Sequence, residues 1–129
     1  MEQNDIGLFA LARRRMDWIS QRQGVLARNI ANASTPGYRP SDLPDFGKTL
    51  KQTSGVPTAR TAAAHLSGSD PGRYRPVQQK GGAYGPDGNA VAVDAQLAKI
   101  ADTETAQSTA TTIYRKYMGL FGMALGRNP

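Results

Sequence analysis

Cysteine is absent from the 129 residues, and histidine occurs once, as His65. Without a thiol the chain forms no disulfide and offers no thiolate nucleophile or ligand, and one imidazole cannot complete a familiar zinc site. His65 stands in Ala62-Ala63-Ala64-His65-Leu66 with no carboxylate close by in sequence, which suits a loop or surface residue better than a general base. Long apolar runs are missing as well. The first, Ile6 to Ala12, is seven residues interrupted by Gly7, where a bilayer-spanning helix takes about 20. The acidic start, Met1-Glu2-Gln3-Asn4-Asp5, is unlike the positively charged opening of a secretory signal.

Strong hydrophobes are scarcest in the middle. Of the 27 Ile, Leu, Val, Met, Phe and Trp residues, 11 fall in residues 1–34, 10 in 91–129 and only six between. The middle collects 16 of the 22 Gly and Pro residues, about 29% of its length, a level that disfavours a packed core. The chain thus divides into an N-terminal helix (1–34), an irregular middle segment (35–90) and a C-terminal helix (91–129). The net charge of +6 is spread over all three parts, with excesses of +2, +3 and +1, so charge alone selects no partner. Scattered Asp42, Asp45, Asp70, Asp87 and Asp94 do not make a calcium loop. Gly81-Gly82-Ala83-Tyr84-Gly85 lacks the Lys-Ser/Thr of a phosphate loop. No catalytic, metal or cofactor-binding residue is assigned, and the chain is read as a non-enzyme.

What is present is helical periodicity. Phe9, Ala12, Met16, Ile19, Gln23, Leu26, Ile30 and Ala33 step by three and four, predicting a helix over residues 5–33, with Asp5 at its start and a stop near Asn32 ahead of Pro36. Thr35-Pro36-Gly37-Tyr38 fits a type II turn, with Pro setting φ at the second position and Gly supplying φ > 0 at the third. The recurring prolines beyond it argue against another helix. Short strands at Arg75–Val77 and Ala90–Val93, joined through a turn at 86–89, would make a small β-hairpin. From Asp94 the period returns through Val93, Leu97, Ile100, Glu104, Gln107, Thr111, Tyr114, Met118, Phe121 and Leu125. A second row, Ala106, Ala110, Ile113, Tyr117, Leu120 and Ala124, widens the stripe.

The fold expected is mainly α, with long terminal helices forming a coiled-coil-like hairpin around an irregular Gly/Pro-rich middle. Nothing between the helices is expected to cover their seams, and a two-helix hairpin leaves an apolar side exposed on each. Further helices from other chains would complete the core. A competing reading takes Arg13-Arg14-Arg15 and the +6 charge as a basic helical module for nucleic acid. Adjacent helix residues point about 100° apart, however, and Asp17 follows, so a solvated or inter-subunit charged face is favoured.

Within Ser20-Gln21-Arg22-Gln23-Gly24-Val25-Leu26-Ala27-Arg28-Asn29-Ile30-Ala31-Asn32-Ala33-Ser34-Thr35-Pro36-Gly37-Tyr38-Arg39, the core Asn-Ile-Ala-Asn-Ala-x-Thr-Pro-Gly-Tyr resembles the N-terminal signature of bacterial flagellar rod, hook and hook-associated proteins. Asp45-Phe46, the run from Asp87 to Val91 and the short length resemble a proximal rod member. Thr103 and Gln107 stand where many relatives have Asn and Tyr.

The resemblance implies a structural subunit of the flagellar basal body, built helically into a tube that transmits torque and encloses the export channel. It implies export without a cleaved signal and a place in the rod within the periplasmic space. Implied partners are copies of the chain itself, other proximal rod proteins, the membrane-supramembrane ring with its rod adaptor, and the export gate, with no nucleic acid and no cofactor. The assembly residues expected are Phe9, Met16, Ile19, Leu26, Asn29, Ile30, Asn32, Pro36, Gly37, Tyr38, Ile113, Tyr114, Tyr117, Met118, Phe121 and Leu125.

Overall fold

A computed structural model describes residues 2–53, 74–80 and 90–126. In chain order these form α1 (Glu2–Ala31), β1 (Ser41–Asp42), α2 (Phe46–Thr53), β2 (Val77–Gln78) and α3 (Val93–Ala124). His65, the Gly81–Gly85 run and the turn expected at 86–89 lie outside the described residues.

The two long helices appear where the periodicity places them. α1 has 30 residues and α3 has 32, so each is roughly 45–50 Å long at 1.5 Å per residue. Asp5 lies inside α1 rather than ahead of it, because the helix already begins at Glu2. α1 ends on schedule: the Asn32 amide N–H and side-chain Nδ2 both donate to the Arg28 carbonyl, at 3.1 and 2.9 Å. The type II turn follows, with Gly37 at φ 75° and the Tyr38 N–H donating to the Thr35 carbonyl at 3.2 Å. α3 stops at Gly126, whose φ of 72° only glycine adopts freely and whose N–H reaches the Met123 carbonyl at 3.0 Å.

Side-chain contacts fix the helices as antiparallel. Phe9, near the start of α1, meets Tyr114 and Phe121 near the end of α3, whereas Asn29 meets Gln96 at the opposite end. The first expectation to fail concerns the middle segment, which does cover part of the α1 seam. Leu43 and Phe46 are buried against Trp18, Ile19 and Val25, with Leu50, Tyr74, Ala106 and Ala110 packed around them. Trp18 Nε1 donates to the Pro44 carbonyl at 2.9 Å, securing this segment to α1.

The helix α2 is the second departure. Proline frequency argues against it, yet Pro44 sits just before the helix, where a missing N–H costs nothing. Asp45 then caps it, its Oδ1 accepting the Gly47 N–H at 2.8 Å. The small sheet exists but pairs differently. β2 at Val77–Gln78 runs antiparallel to β1 at Ser41–Asp42, with Ser41 opposite Gln78. Ala90–Val93 is not its partner, since Val93 begins α3, where the chain's strongest local signal is helical.

Candidate assembly interface

The site has two parts, an internal anchor that holds the hairpin together and an apolar end that it leaves uncovered. The anchor is centred on Asn29, which is 0% exposed. Its Nδ2 donates to the Ser41 carbonyl at 2.7 Å and to Gln96 Oε1 at 2.9 Å. Its Oδ1 accepts the Ser41 N–H at 3.0 Å and the Tyr38 hydroxyl at 3.2 Å. Two donors and two acceptor positions are all that a side-chain amide offers, so Asn29 is saturated. One residue thereby ties α1, the turn, β1 and α3 together.

Beside it, Asp42 takes a two-pronged grip from Arg22, Nε to Oδ1 at 2.9 Å and Nη2 to Oδ2 at 3.1 Å. Lys99 approaches Oδ2 at 3.2 Å, and the Leu43 N–H donates to Oδ1 at 2.8 Å. Burial pushes the Asp42 carboxyl up, but the Arg22 and Lys99 contacts outweigh it and hold the group below its ordinary value. The hydrogen bond to Asp42 raises Arg22 in turn, against the lowering effect of its own burial. Arg22 and Arg15 also lie over the Trp18 ring, at 5.4 and 4.9 Å from its centroid, and Arg15 lies 4.9 Å from that of Phe46. Part of the triple-arginine cluster is therefore engaged in packing.

The opposite end is apolar and open. Phe9 packs edge-on against Tyr114 and Phe121, with ring centroids 5.6 and 6.3 Å apart. Around this trio Leu11, Ile113, Tyr117, Met118, Leu120, Met123 and Leu125 are each 40–64% exposed, as is Phe121 itself. A groove of about 260 Å³ runs between the helices here, lined by Leu8, Phe9, Leu11, Ile113, Tyr114 and Tyr117 among others. A Cβ added at Gly119 would meet no neighbouring element among the described residues within 4 Å.

The expected assembly residues thus separate. Ile19, Leu26 and Asn29 are buried within the chain. Met16, Ile30, Asn32, Tyr38, Phe9 and Tyr114 are half-buried, and Pro36 and Gly37 are exposed on the turn. Ile113, Tyr117, Met118, Phe121 and Leu125 gather at the open end. On α3, Val93 and Leu97 stand exposed at 40% and 52%, while Gln96 and Thr103 face inward at 3% and 1%.

Sequence reading missed Gln96, Thr103, Lys99, Asp42 and Arg22, because it followed apolar residues and these are polar. The heptad spacing of Gln96 and Thr103, continuing to Ala110 and Tyr117, was the available signal. Gln107, on the predicted stripe, bonds Gln23 Nε2 at 3.0 Å. Among the described residues no helix is long and apolar enough to cross a membrane, and no cluster could hold a metal ion.

Comparison with known proteins bears on the same segments. Residues 11–39 match the family model described as flagella basal body rod protein. The chain is 48% identical to the flagellar basal body rod protein FlgB of Agrobacterium fabrum over 65 residues, covering 50% of this chain and 48% of that relative. It is 32% identical to FlgB of Salmonella typhimurium over 124 residues, covering 84% of this chain and 86% of the relative. For FlgB of Cereibacter sphaeroides the figures are 33% over 102 residues, 77% and 79%.

Proposed function

We infer, for a chain that belongs to the family of flagellar basal body rod proteins FlgB, how its hairpin serves assembly. The chain is a structural subunit of the flagellar basal-body rod. In our reading its two terminal helices lie in the wall of a helically built tube, in the proximal part of the rod, where the tube transmits torque and encloses the export channel. Copies of the chain and other rod proteins cover the open end. The ring and its adaptor, together with the export gate, adjoin the base of that tube. The chain reaches its periplasmic place by export without a cleaved signal, and carries out no catalysis.

One observation carries this reading: large apolar side chains crowd the end where α1 begins and α3 finishes, and the described residues leave them exposed. A contiguous exposed apolar patch marks a surface for another protein. The nucleic-acid alternative lacks support, since the family is a structural one and Arg15 is engaged with Trp18 and Phe46.

Strains carrying Phe121→Asp or Ile30→Asp in place of the natural chain are expected to make the protein but no rod, and not to swim. Normal swimming in both strains would overturn the reading.

A further inference from the structure

The apolar half of the α1–α3 seam repeats itself in part at the heptad. Tyr114 and Phe121 are seven residues apart, as are Ile113 and Leu120, and Phe9 already touches both aromatic rings. Sliding α3 by one heptad, roughly 10 Å at 1.5 Å per residue, would put Phe121 in the place of Tyr114 and Leu120 in that of Ile113. At these two positions aromatic would replace aromatic and aliphatic would replace aliphatic, whereas Tyr117 would arrive in the place of Ala110, so packing at this end opposes the slide only in part.

The polar half does not repeat. The same slide puts Thr103 in the place of Gln96, Ala106 in that of Lys99 and Tyr114 in that of Gln107. Of the four partners that saturate Asn29, Gln96 alone comes from α3. Of the two cations on Asp42, Lys99 alone does. A slipped α3 would leave a fully buried amide N–H without its Gln96 acceptor and a largely buried carboxylate with one cation fewer, costs that no like-for-like replacement on α3 offsets.

We propose that Gln96 and Lys99, held by Asn29 and Asp42, fix the axial register of α3 on α1. A buried polar pair setting register is an established device of coiled coils, where it trades stability for a unique alignment. These are positioning residues: they determine where along α1 the exposed apolar end of α3 comes to stand. The inference does not depend on the assembly reading, because swimming tests that reading and intramolecular distance tests this one.

A chain without cysteine suits the measurement. Spin labels placed on Arg13→Cys and Ser108→Cys, both exposed and away from the anchor, report the distance between the helices by pulsed dipolar spectroscopy. The otherwise unaltered full chain is expected to show one narrow distance, and so is Lys99→Arg. The pair Gln96→Leu with Lys99→Leu, which keeps strong helix formers, is expected to add a second distance, longer by roughly 5–10 Å, in at least about a third of molecules. A single unchanged distance in the leucine pair would overturn the proposal. So would a broad distribution in the leucine pair while the unaltered chain stays narrow, since the residues would then hold the fold and not its register. A broad distribution in the unaltered chain would overturn it too.

Discussion

Where α1 finishes and α3 begins, Asn29, Gln96 and Thr103 are polar, buried and supplied with partners. Where α1 begins and α3 finishes, Tyr117, Leu120, Phe121 and Met123 are large, apolar and 43–57% exposed. Ordinary folding economy would reverse this arrangement. The contrast is explained if the polar end must reach one unique arrangement within the chain, while the apolar end is completed by neighbouring subunits. Directional bonds specify, and unsatisfied apolar area associates.

Substitutions should break this contrast in a definite order of stability loss. Leu26, fully buried beside the anchor, is the largest case: Leu26→Ala is expected to cost about 2–5 kcal/mol, read as a lower urea midpoint for loss of helix by circular dichroism. Asn29→Ala comes next, at about 2–3 kcal/mol, because it leaves the Ser41 backbone and the Gln96 amide without partners in a closed site. The same melts would show it.

Asp42 sharpens the comparison through pH. Its folded carboxyl lies below the ordinary value of 3.8, so its contribution to stability is present above that value and is lost as pH falls through the lower, folded one. Stability measured between neutral pH and pH 3 should therefore fall more steeply for the natural chain than for Asp42→Asn, with the difference confined to the acidic end. Equal slopes would show that the Arg22 and Lys99 contacts do not favour the ionised form.

The smallest effect belongs to the open end. Leu120→Ser should change the stability of the free chain by no more than about 0.5 kcal/mol, as for surface positions generally, and yet reduce incorporation into basal bodies.

The two ends also differ in how far the sequence reveals them. The long helices were legible because their apolar residues recur at helical spacing, and the stop at Asn32 with its type II turn was legible because Pro36 has few backbone options and Gly37 freely takes the positive φ that the turn needs. The open end followed from the same periodicity. The anchor did not: Asn29 could be recognised as a helix-end residue, but its bonds to Ser41, Tyr38 and Gln96 span 9 to 67 residues, and such separations leave no local pattern. For the same reason Leu43 and Phe46 looked too sparse to cover anything, since only the folded chain brings them onto Trp18 and Ile19. α2 was hidden by prolines whose positions mattered more than their number.

The central claim is that the apolar end is open in the free chain and covered in the rod. With no native cysteine to interfere, Leu120→Cys, which replaces a residue 57% exposed in the chain, can be labelled with a maleimide in the purified protein and in isolated basal bodies. The account predicts rapid labelling of the free chain and protection in the basal body; equally rapid labelling in both would contradict it.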